Sequence, residues 1–300
     1  MTSWQPRLRQ CLQAGEFDIA ITTLESLAGV TGTCSFPEKD KALHIIENHL
    51  DNLDQACEWL YRLLDSQIPS VRDLGALLAA RLIPSLYPQH SQPVRDILAR
   101  IADDPNWEVR ETASYVIFQL VMVDSAEAFS LLEQWITHPS ENLRRAVTLT
   151  VKKISKQRKP AWGEQLLDLI EPLMSDPSRY VRKNLGPFAI GDGLLRYYPE
   201  LTLERLEQWS AWEDQQVLWN VAMVFSAAEG VKHLDQAIPI LACLARDERR
   251  YVWRAVASAM RNLGHRSPEQ VIPVLKLWLQ DPLQARSAQV ALKYLLPTHG

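Results

Sequence analysis

The chain has 300 residues, 47% of them hydrophobic and 23% charged, with a formal net charge of −4. That balance suits a protein with a sizeable core. It contains no apolar run long enough for a membrane-spanning helix, and its acidity speaks against a uniformly basic nucleic-acid coat.

In chain order, the first segments read as helices over 17–28, 37–49 and 52–65, with a loop at 29–36. They form a helical N-terminal cap, assigned to residues 1–65. The opening residues Met1-Thr2-Ser3-Trp4-Gln5-Pro6-Arg7 lack a basic stretch followed by an apolar core, so no secretory leader is expected. Cys11, Cys34, Cys57 and Cys243 include no CxxC pair and suit neither zinc nor a disulfide framework. Reduced thiols in a cytoplasmic protein are expected, with no metal and no cofactor.

From residue 66 the chain repeats itself. Asp104-Pro105-Asn106-Trp107-Glu108-Val109-Arg110 returns as His138-Pro139-Ser140-Glu141-Asn142-Leu143-Arg144, and again as Asp176-Pro177-Ser178-Arg179-Tyr180-Val181-Arg182. A weaker copy runs from Asp247 to Trp253. The starts at 66, 104, 138, 176, 212, 247 and 281 are 38, 34, 38, 36, 35 and 34 residues apart. This period marks a stacked array of helix pairs. First helices are expected at 93–102, 126–137, 162–174, 203–212, 234–245 and 268–280, and second helices at 69–83, 108–123, 141–154, 249–263 and 283–295. The Asp-Pro turn stops the first helix, because proline lacks the N–H and disfavours helix in the residue before it. Asp or Ser in the turn caps the second. The expected fold is all-α, a right-handed α-solenoid of about seven pairs, continuous over 66–300. Within the fourth second helix, Asn184-Leu185-Gly186-Pro187-Phe188 should kink or break the chain. A local rule broken inside a regular array marks either function or a tolerated irregularity.

Charge is unevenly spread. Residues 1–137 carry −9, residues 138–198 carry +5, and residues 199–300 are neutral. Arg72, Arg110, Arg144 and Arg182 recur at one place in four repeats, and Arg145, Lys152, Lys153, Lys156, Arg158, Lys159, Arg179 and Lys183 thicken the row. One reading is a ladder of cations along a groove that matches a phosphate backbone. The other is pairing of each Arg with acids of the next repeat. Trp107 and Glu111, four apart, share one helix face. A carboxylate there could stabilise positive charge on a sugar as a glycosidic bond breaks, and an indole face attracts a cation. The structural alternative is that Glu111 complements the helix dipole and Trp107 packs between repeats. Trp209, Trp212, Trp219, Trp253 and Trp278 read as inter-repeat core or as stacking surfaces for bases. His44, Glu47 and His49 lack the HExxH order, and 191–196 lacks the third glycine of a dinucleotide loop.

The turn and Val-Arg repeats resemble HEAT repeats. More narrowly, residues 66–265 resemble the bacterial HEAT-like-repeat DNA alkylation repair proteins, the alkylpurine DNA glycosylases, chiefly through 104–118, 142–153 and 180–199. The resemblance implies that Trp107 and Glu111 match a Trp and carboxylate pair at the lesion, with Glu in place of Asp. Arg145 matches an Arg one repeat on. Where a second Trp and Arg would follow, this chain has Pro187 and Ile190. Where another branch has a glutamate, it has Leu149.

Together these give a DNA-binding repeat protein with Trp107 and Glu111 as candidate catalytic residues. Arg110, Arg144, Arg145, Lys152, Lys153, Arg182 and Lys183 are its candidate nucleic-acid contacts. The expected partner is double-stranded DNA, whose alkylated bases are excised or only recognised. The alternative is a non-enzymatic scaffold or chaperone whose groove clasps a protein partner.

Overall fold

Local signals in the turns account for five of the helix starts. Asn52, Asn106, Ser140, Ser178 and Asp214 each accept a hydrogen bond from a backbone N–H two or three residues on, at the head of a helix. Each such cap stabilises its helix by about 1 kcal/mol. The computed structural model describes residues 4–28, 34–50, 52–87 and 90–296. Most of the expected loop at 29–36 therefore lies outside the described residues. Among the described residues there is no β-strand, and no helix is long and apolar enough to cross a membrane.

The chain divides into two compact units, Met1–Gln134 and Trp135–Gly300. The first holds α1 (Trp4–Ala14), α2 (Phe17–Glu25), α3 (Phe36–Glu47), α4 (Leu53–Asp65), α5 (Pro69–Leu86), α6 (Ser91–Ala102), α7 (Trp107–Val123) and nearly all of α8 (Ser125–Trp135). The second holds α9 (Glu141–Ser155), α10 (Gly163–Ile170), α11 (Arg179–Arg182), α12 (Pro199–Ser210), α13 (Gln215–Val224), α14 (Leu234–Leu244), α15 (Arg250–Arg266), α16 (Pro268–Trp278) and α17 (Ala285–Leu295). Both units stack helix pairs, so the fold is an α-solenoid in class. Of these helices, α1 and α13 carry no equivalent in the sequence expectation, and α12 begins at Pro199 rather than at 203.

In the first unit α5 is the central helix. Val71, Leu74, Leu78, Ala79 and Ile83 are buried along it, as helical spacing dictates. Gly75 lets α4 approach, since a Cβ there would stand 3.0 Å from Leu63 Cβ. One polar network crosses this core. Lys39 of α3 pairs with Asp73 of α5 at 2.7 Å, with both side chains about nine-tenths buried, and Thr112 of α7 donates to the other oxygen of Asp73 at 2.5 Å. The network fixes the register of three helices without leaving a charge unmatched.

The second unit is interrupted as expected but in a different manner. The α-helix of this repeat ends at Arg182, as the Gly-Pro pair led one to expect, and a turn at 183–184 follows. Residues Leu185–Leu195 form a π-helix, whose wider turn absorbs the missing N–H; Ala189 N bonds to Asn184 O at 3.0 Å. Two glycines press it against α13. A Cβ on Gly186 would meet Asn220 O at 2.9 Å, and one on Gly191 would meet Val224 O at 2.8 Å. Gly193 lies against α9, 3.1 Å from Lys152 Cα by the same measure. Glycine is what permits this contact on both sides of the π-helix.

Candidate nucleic-acid interface

The Arg that recurs six residues into each turn is a staple. Arg72 reaches Asp104 through Nε (2.7 Å) and Nη2 (3.0 Å), and its Nη1 donates to the carbonyls of Ser66 and Gln67. Arg144 does the same to Asp176, at 2.6 and 3.2 Å, and donates to the carbonyls of His138 and Pro139. The grasped Asp also accepts the backbone N–H two residues on, Asn106 N or Ser178 N, at 2.7 Å. One carboxylate therefore closes its own turn and receives the Arg of the preceding repeat. These bonds raise the pKa of Arg72 and Arg144 above the usual guanidinium range. Arg110 and Arg182 likewise bind the carbonyls of their own turns, Asp104 and Pro105 or Asp176 and Pro177.

In the first unit, Trp107 opens α7 and is 61% exposed. It does not pack into the core between repeats. Glu111, one turn on, is exposed, and Tyr115, a further turn on, is 39% exposed. The three form a column of indole, carboxylate and phenol on one face of α7. Tyr115 was not singled out by sequence reasoning; continuing the four-residue spacing from Trp107 through Glu111 finds it. Beside it lies a cavity of about 340 Å³ lined by Phe36, Leu77, Arg81, Thr112 and Tyr115.

In the second unit the basic residues are interleaved with aromatic rings. Arg145 lies 4.5 Å over the Tyr180 ring and Lys183 4.7 Å from the same ring. Lys152 sits 3.4 Å from the centroid of Phe188 and 3.4 Å from an Asp192 oxygen. Arg158 and Arg196 share Tyr197. Such contacts contribute about 0.5–2 kcal/mol each and hold cations close together despite repulsion. Lys153 pays for this crowding: burial, then the charge of Lys156, pulls its ammonium below the usual lysine range. Arg145 is only 6% exposed, whereas Lys152, Lys153 and Lys183 are partly open to solvent. The rings were missed from sequence, although Tyr180 falls about one period after Arg145 and Phe188 about one period after Lys152.

Besides Asp176 and Asp192, several acidic groups of this unit are engaged away from the basic row. Arg205 of α12 binds Glu164, Asp168 and Glu171 at 2.8, 3.0 and 2.8 Å, and Glu141 accepts from the Ser178 hydroxyl. Trp209 and Trp278 are core residues, at 0% and 4% exposure, while Trp212 is 41% exposed. Among the described residues no group of three or more His, Cys, Asp or Glu side chains is arranged to hold a metal. All four cysteines are free thiols.

A family model described as "DNA alkylation repair enzyme" matches residues 36–190. A search of curated proteins returns no match. Among solved structures, the chain is similar to YibA of E. coli at 17% identity and a TM-score of 0.40, over 98% of this chain and 97% of that one. It is similar to a computationally designed armadillo repeat protein for modular peptide recognition at 19% identity and a TM-score of 0.32, over 73% and 98% of the two chains.

Proposed function

The chain belongs to the DNA alkylation repair enzyme family, and from that premise we propose that it binds double-stranded DNA and hydrolyses the N-glycosidic bond of alkylated bases. The observation that carries the reading is the exposure of Trp107, 61%, one helical turn from exposed Glu111. The indole face is therefore open to a cationic ligand.

The chemistry follows from the substrate. Alkylation of a ring nitrogen makes a purine cationic, so it leaves as a neutral base once the C1′–N bond breaks with both electrons going to the base. Positive charge then develops on the deoxyribose. A carboxylate about 4 Å away stabilises a unit charge by about 4 kcal/mol near a protein surface, equivalent to about a thousandfold in rate. Glu111 would supply that charge and orient the water that adds to C1′, while the Trp107 face attracts the cationic base. Arg145, Lys152, Lys153, Arg182 and Lys183 would hold phosphates. Arg110 and Arg144 lie in the same row, but Arg144 is filled by Asp176 and two carbonyls and would contribute little.

The test is release of methylated bases from alkylated duplex DNA, with Glu111→Gln as control. Affinity for the duplex should also fall steeply with salt, as phosphate contacts require. Absence of release by the unaltered protein, together with salt-independent binding, would sink the reading and leave a protein-binding scaffold.

A further inference from the structure

The second unit holds a cleft of about 540 Å³ between α13 and α15, outside the residues matched by the family model. Its wall carries a stacked aromatic pair, Trp219 and Tyr251, with centroids 5.8 Å apart and planes 15° from parallel. The Tyr251 hydroxyl donates to Gln216 Oε1 at 2.8 Å, which fixes the ring in place. Its rim carries Arg250 and Arg254, both exposed and one turn apart on α15. No carboxylate lines it.

The two arginines differ from their neighbours. Arg246 is held by Asp281 at 2.8 Å, and Arg249 by Asp247 and the carbonyl of Glu213. Among the described residues neither Arg250 nor Arg254 has an ion pair, a side-chain hydrogen bond or a ring partner. Two unneutralised guanidiniums four residues apart repel each other, so the fold gains nothing from their juxtaposition. Their places are informative too. Arg250 and Arg254 stand three and seven residues after Asp247, as Trp107 and Glu111 stand three and seven after Asp104. They occupy the same positions of the repeat.

We propose that this cleft binds a nucleic-acid strand, with Arg250 and Arg254 on consecutive phosphates and an unpaired base stacked against Trp219 and Tyr251. Free guanidiniums alone would suit any anion. A rigid stacked ring pair beside them suits a ligand that carries a planar ring next to each phosphate, as a single strand does. An acidic peptide offers the charge without the ring. The assignment is independent of Glu111 and of any bond cleavage.

The experiment uses the full chain and a fluorescently labelled single-stranded DNA oligonucleotide, with anisotropy read across a salt series. Arg250→Gln with Arg254→Gln should reduce the slope of log affinity against log salt by about 1.4, since each single-strand phosphate contributes about 0.7. Trp219→Ala should weaken binding about tenfold. Thermal unfolding of the Arg double variant should match the parent, because both side chains are exposed. No binding by the parent, an unchanged slope in the Arg double variant, or equal competition by polyglutamate would each overturn the proposal. If strand binding depends on the arginines while no base is released, the glycosylase reading fails and this one stands. Base release with an unchanged slope gives the reverse.

Discussion

Arg144 grips Asp176 with two nitrogens, at 2.6 and 3.2 Å, and both side chains are nearly closed to solvent at 13% and 3%. Asp176 is at once the cap of its own turn and the acceptor of the preceding repeat, so this contact ties turn to turn. Arg144→Ala should leave a buried carboxylate without its cation and destabilise the protein by about 3 kcal/mol. Arg182→Ala, which loses hydrogen bonds to the carbonyls of Asp176 and Pro177 in its own turn, should cost about 1 kcal/mol. Urea unfolding monitored by circular dichroism would compare the two; equal losses would contradict the staple.

The π-helix depends on glycine at its contact with α13. Gly191→Ala puts a Cβ 2.7 Å from Ala227 Cβ and 2.8 Å from Val224 O, atoms that move only if backbone moves. A loss of about 2–3 kcal/mol is expected. Gly15→Ala probes a different cause. Nothing lies near a Cβ there, but its φ of +70° disfavours an L side chain, so a loss of about 1 kcal/mol is expected from the backbone alone. Thermal or urea unfolding of both variants checks the order.

Tyr87 donates to Asp124 at 2.9 Å, and the pair predicts a pH window. The Asp124 carboxyl is held below the usual range, first by the backbone N–H of Glu127 and then by Tyr87. A depressed folded pKa gives stability that is present above the unfolded value and lost as pH falls through the folded one. The Tyr87 phenol is pushed up to about 12 by burial and then by Asp124. A raised folded pKa gives stability that is present below the unfolded value and lost as pH rises through the folded one. Tyr87→Phe should therefore be less stable than the parent on a plateau between about pH 4 and pH 10, with the gap narrowing on both sides. Unfolding free energies at pH 3, 7 and 11 test it; a gap independent of pH would show that the bond does not couple to either titration.

Glu111 is exposed on α7, so Glu111→Gln should change stability by no more than about 0.5 kcal/mol. Its effect on base release should be large, about 10²–10³-fold. Trp107→Ala should lower release with a similar silence in stability. Single-turnover excision assays beside thermal unfolding separate the two effects. A variant that loses activity only in proportion to stability would remove Glu111 from the chemistry.

The repeat, the turns and the helix caps are legible in the chain because they are local. An Asp or Ser caps a helix two residues on, and Pro stops the one before, whatever else is present. The Arg at the end of each turn is visible too, but its two readings are identical in sequence: a cation in a row serves a phosphate or a neighbour's carboxylate equally well. Only the stacking of successive repeats, which brings residues 32 apart into contact, assigns Arg72 and Arg144 to Asp104 and Asp176. The same holds for tryptophan. Trp209 and Trp107 are chemically alike, yet one is fully buried and the other 61% exposed, because exposure depends on what the next helix pair covers.

The period thus determined the fold class, and the turn residues determined where several helices begin, since caps and turns act over a few residues. Tertiary packing decided the rest. It carried the chain past Pro187 as a π-helix after the α-helix ends, with glycines set against the backbones of α9 and α13. It placed Tyr180 under Arg145 and Lys183, and it left Trp107, Arg250 and Arg254 open at matching positions of two repeats. Apart from the Lys183–Tyr180 contact, which is local, those outcomes rest on packing between residues about a whole repeat apart, whose geometry is set by how helices stack and not by the order of residues along any one of them.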